Sequence, residues 1–352
     1  MHPQKHILQA WNWSSTPSLQ SCTDGLINET WLVHCDSKPR AVLQKLNTHI
    51  FKPEVHEDIH AITEHLHQRG LNTPRLLPTR SGPVWLEDES GVWRCMSHVG
   101  QQTHHKLHDP VLARSAGSLV ARFHDALTDF DWNFRSIRGR FHDTAGCMTQ
   151  LADSLPRHPK HRLYDDVAAL AERILLNWQD WRHAHEATAT ELPRRIVHGD
   201  LKISNIRFNQ QTAVAIVDLD TLGHGTLDAE LGDALRSWCN PLSEDTRGAR
   251  FDLDLFVAAV QGYAQGSPLG AGPSEQEWSS LVAGIVRICL ELAARFASDA
   301  LEESYFGFDE RFGTRGDHNL LRARGQLAMA QAVLDALPQA EQLLQQARQH
   351  HD

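Results

Sequence analysis

The chain has 352 residues, of which 41% are hydrophobic, 22% charged and 7% aromatic, a composition that excludes disordered, collagen-like and coiled-coil proteins. Lys and Arg number 34 against 44 Asp and Glu, a formal net charge of −10, so whole-surface attraction to nucleic acid or anionic lipid is excluded as an organising feature. At about 150 residues per domain the length corresponds to roughly two domains.

The opening residues MHPQKHILQAWNW lack the apolar stretch of a signal peptide, and no window approaches 18 consecutive apolar residues, so the expected location is the cytoplasm. Cys22, Cys35, Cys95, Cys147, Cys239 and Cys289 lie far apart without a C-x-x-C pair and are read as reduced thiols.

Trp31-Leu32-Val33 and Ala41-Val42-Leu43, separated by Ser37-Lys38-Pro39, predict a hairpin within 20–50. Val55, Ile59, Ile62 and Leu66 recur at helical spacing between Pro53 and Gly70. Histidines 56 and 60 stand one turn apart on that helix and are read as a solvated face rather than a metal site. Strand-like pieces follow at 84–86 and 92–96, and a boundary is expected near 97–105, with an N-lobe over 1–98 and a C-lobe over 99–352.

Asp109-Pro110 is an N-cap and N1 pair for a helix presenting Val111, Leu112, Ala116, Leu119, Val120, Phe123 and Leu127 on one face. Two short apolar runs, 195–197 and 214–217, each deliver a carboxylate at their end, as buried strands feeding polar loops do. Helical patterns return at 253–265, 275–300 and 318–349, the last interrupted at Pro338. The expected fold is therefore α+β and bilobal: a small β-rich lobe, a larger mainly helical lobe and a cleft between them.

The chemistry concentrates in His198-Gly199-Asp200-Leu201-Lys202-Ile203-Ser204-Asn205, followed by Val217-Asp218-Leu219-Asp220. Its form is H-x-D-x-x-x-x-N, then an apolar run ending in Asp. Phosphoryl transfer needs a carboxylate to orient the attacking hydroxyl and oxygen ligands to hold Mg²⁺ against the phosphates of ATP. Asp200 can supply the first, and Asn205 with Asp218 the second. Asp and Asn also favour turns and caps for reasons unrelated to catalysis, but the second element, ending in Asp218, makes the pattern specific. In an extended segment Asp218 and Asp220 would point to the same side and could share metal and substrate duties.

This stretch resembles the catalytic loop and metal-binding segment of the aminoglycoside phosphotransferase and choline kinase superfamily, whose fold is protein-kinase-like. Gly199 stands where protein kinases carry Arg, as in the small-molecule kinases. Collinear segments resemble one branch more closely, the N-acetylhexosamine 1-kinases: Gly25-Leu26-Ile27-Asn28-Glu29-Thr30, Leu43-Gln44-Lys45-Leu46-Asn47, Phe141-His142-Asp143-Thr144, Glu291 to Phe296 and Asn319 to Arg322.

The resemblance implies a nucleotide-covering turn at Gly25, Asn28 and Thr30. It also implies a phosphate-binding Lys45 paired with Glu57, and Asp233 as a buried brace of the catalytic loop. Asp220, Arg295 and Tyr305 correspond to residues of the acceptor pocket, with the spacing from Arg295 to Tyr305 one residue shorter than in that branch. The activity the resemblance implies is ATP- and Mg²⁺-dependent phosphorylation of a sugar hydroxyl, the anomeric hydroxyl of an N-acetylhexosamine or related hexose. Two other readings stay open. The acid-rich stretch from Asp228 to Asp254 could steer a cationic acceptor such as an aminoglycoside or an amino alcohol, or the fold could serve as a nucleotide-binding module without turnover.

Overall fold

The computed structural model describes residues 3–22, 27–136, 142–242, 244–266 and 272–349. A short helix α1 (Lys5–Gln9) precedes an antiparallel sheet formed by β1 (Ser18–Cys22), β2 (Glu29–Cys35), β3 (Lys38–Lys45), β4 (Trp85–Asp88) and β5 (Gly91–Ser97) in the order β1-β2-β3-β5-β4. Helix α2 (Val55–Gln68) lies between β3 and β4 in the chain.

Strand alternation divides the side chains of this sheet between two clusters. Trp31, Val33, Ala41, Leu43, Trp93 and Cys95 pack with Ile7 and Trp11 around α1. Val92 and Met96 point the other way and join Val55, Ile59, Ile62 and Leu66 of α2 in the main core.

Past Ser97 the chain enters the helical lobe through β6 (Gln102–Thr103) and α3 (Pro110–Ala126), followed by α4 (Thr144–Arg157) and α5 (Tyr164–Thr190). Then come β7 (Arg194–Val197), β8 (Ile206–Asn209), β9 (Thr212–Ile216) and β10 (Gly223–Thr226). These strands form two small sheets, β6-β8-β9 and β10-β7, that carry the polar loops. The remaining helices are α6 (Leu227–Trp238), α7 (Leu253–Gly266), α8 (Glu275–Ser279), α9 (Leu281–Glu302), α10 (Arg315–Asp335) and α11 (Leu337–Gln349). Helix α9 is buried over most of its length and packs against α4, α5, α6 and α10.

The mixed α+β architecture agrees with the sequence reading, with local differences. The single helix expected over 275–300 is two, because Ser274 closes a capping box with Glu277 on the short α8 and the chain restarts at Ser280. Asp109 caps α3 by accepting from the Val111 amide, which leaves Val111 in the first turn and exposed rather than on the buried face. Among the described residues no helix is long and apolar enough to cross a membrane, and no disulfide links the six cysteines.

His56 is not on a solvated face. It is fully buried, stacked on Trp85 at 5.3 Å between ring centroids, with Nδ1 2.7 Å from the Pro53 carbonyl. Burial and the Arg94 charge push its pKa from the ordinary 6.5 down to about 4. The folded ring therefore stays neutral where the unfolded ring takes up a proton, so stability is lost as pH falls from 6.5 towards 4. His56→Gln removes this contribution, on the order of 3 kcal/mol for a shift of this size. Urea unfolding of both proteins at pH 7 and pH 4.5 should show a smaller pH dependence for the variant; equal dependence would contradict the assignment.

Candidate active site

Strand β7 ends at Val197, and the next residue supplies the first anchor of the loop. The His198 ring is fully buried; its Nδ1 accepts the Asp200 amide at 3.2 Å, so the ring proton sits on Nε2 and is donated to the Val217 carbonyl at 2.9 Å. Gly199 has φ of +83°, a left-handed conformation open to glycine and strained for other residues.

The carboxylate of Glu230, on α6, accepts both the His198 and Gly199 amides at 2.8 Å. Behind it His124 lies 3.2 Å from Glu230 and 2.8 Å from the Tyr263 hydroxyl. Burial opposes the Glu230 charge, but His124, His198 and the donated backbone hydrogen bond hold its pKa below the usual carboxylate range. The loop brace is thus Glu230, not Asp233. Asp233 lies one turn further along α6 and accepts from Arg236 at 2.7 Å. Trp238 Nε1 donates to the Leu201 carbonyl at 2.7 Å and Ser237 Oγ receives the Ile203 amide at 3.1 Å, so α6 holds the loop at several points.

Asp200 projects from this braced loop. Lys202 Nζ is 2.8 Å from its Oδ2, and Asn205 Nδ2 donates to the Asp200 carbonyl at 2.8 Å and to Oδ2 at 3.2 Å. With the nitrogen end of Asn205 engaged, its Oδ1 is the atom available to a cation. Burial would raise the Asp200 carboxyl, but the Lys202 ammonium outweighs it and holds the pKa at about 2.

The Val217 amide donates to the Asn205 carbonyl at 2.9 Å, bringing the second segment alongside the loop. Asp218 then turns into the left-handed region, φ 65° and ψ 56°, and Leu219–Thr221 form a 3-10 turn. Burial and the charges of Asp220 and Asp200 raise the Asp218 pKa, only partly offset by Lys202. Asp200, Asn205, Asp218 and Lys202 thus meet in one place. The sequence reading missed Lys202, although its position two residues after Asp200 was a usable signal.

The turn at Asp218 breaks the extended geometry that would have put Asp218 and Asp220 on one side. Asp220 points instead to the small lobe, where it forms a bidentate ion pair with Arg94 of β5 and accepts from Asn28 Nδ2 at 2.8 Å. Arg94 Nε and Nη2 also donate to Gln44 Oε1 at 2.9 and 2.7 Å. Gln44 Nε2 donates to Thr30 Oγ1 at 3.1 Å, and the Thr30 hydroxyl to the Asn28 carbonyl at 3.2 Å, closing a ring of five residues.

Lys45 and Glu57 are not brought together. Lys45 alternates with Gln44 and so lies on the α1 side of the sheet, 3.9 Å from Glu29 and 5.7 Å from the centre of the Trp93 ring. Glu57 is about half exposed and 3.9 Å from Arg135. The α2 side chain within electrostatic reach of Arg94 and Asp220 is His56, one residue earlier. Gly25 lies outside the described residues.

Arg295 sits 3.9 Å from Glu291 and 5.9 Å from the ring of the exposed Tyr305, in the helical lobe. Glu291 also meets His142 Nδ1 at 3.2 Å and Thr144 Oγ1 at 2.7 Å.

The donor set fits a divalent cation shared with phosphates. Asn205 and Asp218 offer hard oxygens, and burial together with the neighbouring carboxylates raises Asp218 in a way that a bound cation would relieve. Among the described residues no three His, Cys, Asp or Glu side chains form a metal cage on their own.

Residues 18–269 match the model of the phosphotransferase enzyme family. A homoserine kinase of Zymomonas mobilis subsp. mobilis is 22% identical over 251 residues, covering 70% of this chain and 72% of that protein. Among solved structures, an amicoumacin kinase in complex with AMP-PNP, Ca²⁺ and Ami is 14% identical with a TM-score of 0.61, covering 93% of each chain. An aminoglycoside phosphotransferase from Alicyclobacillus acidocaldarius is 17% identical with a TM-score of 0.56, covering 99% of this chain and 96% of its own.

The brace is open to test. Glu230→Gln keeps the shape but offers only one acceptor oxygen to two amides, so kcat should fall about tenfold or more with a modest loss of stability, a lost charged hydrogen bond being worth about 1.5–3 kcal/mol. Steady-state kinetics at wild-type kcat would contradict the role.

Proposed function

The chain belongs to the phosphotransferase enzyme family, as an ATP-dependent kinase of small molecules, and we propose that its acceptor is a neutral polyhydroxylated molecule, a sugar. The observation that carries this reading is the internal pairing of the acidic side chains of the 228–254 stretch other than the exposed Asp254. Asp228 pairs with Arg287, Asp233 and Glu244 with Arg236, and Asp245 with His318 and Arg322. Glu230 is taken by backbone amides and Asp252 by Arg250. A polycationic acceptor needs carboxylates left uncompensated, whereas a neutral one is recognised by directed hydrogen bonds. Asp233 has its charge offset by Arg236 at Oδ1 while its buried Oδ2 has no hydrogen-bond partner among the described residues, so it offers one directed acceptor within electrostatic reach of Asp200 and His142. Arg295 and Tyr305 offer a donor and a ring face nearby on the same lobe.

In this reading Asp200 accepts a hydrogen bond from the attacking hydroxyl and receives its proton as the phosphoryl group departs. A carboxylate held at about pKa 2 is ionised throughout the working range and acts by orientation more than by basicity. Lys202 holds Asp200 in place and sets a positive charge beside the path of the transferred group. Asn205 and Asp218 would hold a divalent cation, Mg²⁺ in this reading, which would supply charge neutralisation at the phosphates.

Asp200→Asn should lower kcat by about 10²–10⁴-fold while the affinity for AMP-PNP stays close to wild type. The acceptor is tested by ATP consumption across hexoses, N-acetylhexosamines, amino alcohols, homoserine and aminoglycosides at low and high salt, with phosphorus NMR locating the ester. A neutral sugar turned over with a salt-independent KM is expected. Turnover confined to cationic acceptors, with a KM rising steeply with salt, would overturn the sugar assignment.

A further inference from the structure

The ring that joins the two lobes is polarised by one residue. Arg94 can only donate, so Gln44 must present Oε1 to it; Gln44 Nε2 then donates to Thr30, and the Thr30 hydroxyl to the Asn28 carbonyl. Asn28 spends both ends of its side-chain amide, Nδ2 on Asp220 and Oδ1 on the Asn47 amide at 2.9 Å. The base of the β2–β3 hairpin, the end of β3, strand β5 and the segment after Asp218 are thereby closed into one hydrogen-bonded unit.

Arg94 and Asp220 are each only 1% exposed in their side chains, and 126 positions separate them in the chain. A buried ion pair of this kind adds little to stability over a well-packed apolar pair, because desolvation offsets the attraction. What it does fix is geometry: two parallel hydrogen bonds set both distance and angle. Sheet register explains why this cation is Arg94. Gln44 and Arg94 are direct partners across β3 and β5 on the side facing α2, while Lys45 and Trp93 are the next pair and face α1.

We propose that Arg94 is a positioning residue for phosphoryl transfer. Through Asp220 and Asn28 it sets the height of the hairpin base over the Asp218 segment, so that the triphosphate and its cation are gripped from both lobes at once. This rests on the kinase reading above. Arg94 acts through other groups and touches no reacting atom.

The paired replacement Arg94→Gln with Asp220→Asn removes the bridge without leaving a buried charge unmatched. Thr30→Val opens the ring at a single hydroxyl in a side chain of the same shape, and serves if the paired variant does not fold. Calorimetric titration of each full-length protein with AMP and with Mg²⁺–AMP-PNP separates positioning from mere folding support. The paired variant is expected to bind AMP within about twofold of wild type and Mg²⁺–AMP-PNP about tenfold more weakly, with KM for ATP rising in step; Thr30→Val should shift AMP-PNP about threefold in the same direction. Unchanged AMP-PNP affinity, or equal weakening for AMP and AMP-PNP, overturns the positioning role whatever happens to Tm. Failure of the wild-type protein to bind Mg²⁺–AMP-PNP at all would instead remove the kinase reading on which the proposal stands.

Discussion

Because the His198 ring accepts the Asp200 amide proton at one nitrogen, it must donate from the other, and that donation goes to the Val217 carbonyl one residue before Asp218. One buried imidazole therefore fixes the loop that carries Asp200 against the segment that carries Asp218. Thr221 Oγ1 adds a hydrogen bond back to the His198 carbonyl at 2.7 Å, and the Glu230 carboxylate closes over two loop amides. These contacts hold the backbone that carries Asp200 and Asn205 in one orientation, the kind of preorganisation from which the proposed phosphoryl transfer would gain most of its rate.

Charge is arranged with the same economy. Lys202 lies against Asp200 and within electrostatic reach of Asp218, so one ammonium serves two carboxylates of opposite tendency, one held low and one raised. The third carboxylate, Asp220, is neutralised from the other lobe by Arg94. The sharp turn at Asp218 makes this division possible: without its left-handed backbone the two aspartates would compete for the same space.

What the sequence made legible was local. The hairpin, helix α2, the cap of α3 and the spacing His198–Asp200–Asn205–Asp218 are written in neighbouring residues, and each is recovered in the fold. What escaped depends on contacts far apart in the chain. Strand parity decides whether Lys45 or the Gln44–Arg94 pair faces α2, and one residue of register sends them to opposite faces. Likewise His56 rather than Glu57 approaches Arg94 because they are adjacent on a helix and so point about 100° apart. The family resemblance named an acidic brace at Asp233, but the hydrogen bonds come from Glu230 on the same helix. The expectation that Asp218 and Asp220 share one side assumed an extended backbone that the chain does not adopt, and the carboxylate of Asp220, placed in the acceptor pocket by the resemblance, is engaged by Arg94 and Asn28.

The proposed chemistry requires Asp200, Asn205 and Asp218 to converge about one cation–triphosphate site. Crystals grown with Mn²⁺ and AMP-PNP, measured at a wavelength where manganese scatters anomalously, test it most directly. An anomalous peak in direct contact with the Asp218 carboxylate, Asn205 Oδ1 and the phosphates, with Asp200 facing the terminal phosphate, is the predicted result. A nucleotide-bound peak held by other side chains would contradict it.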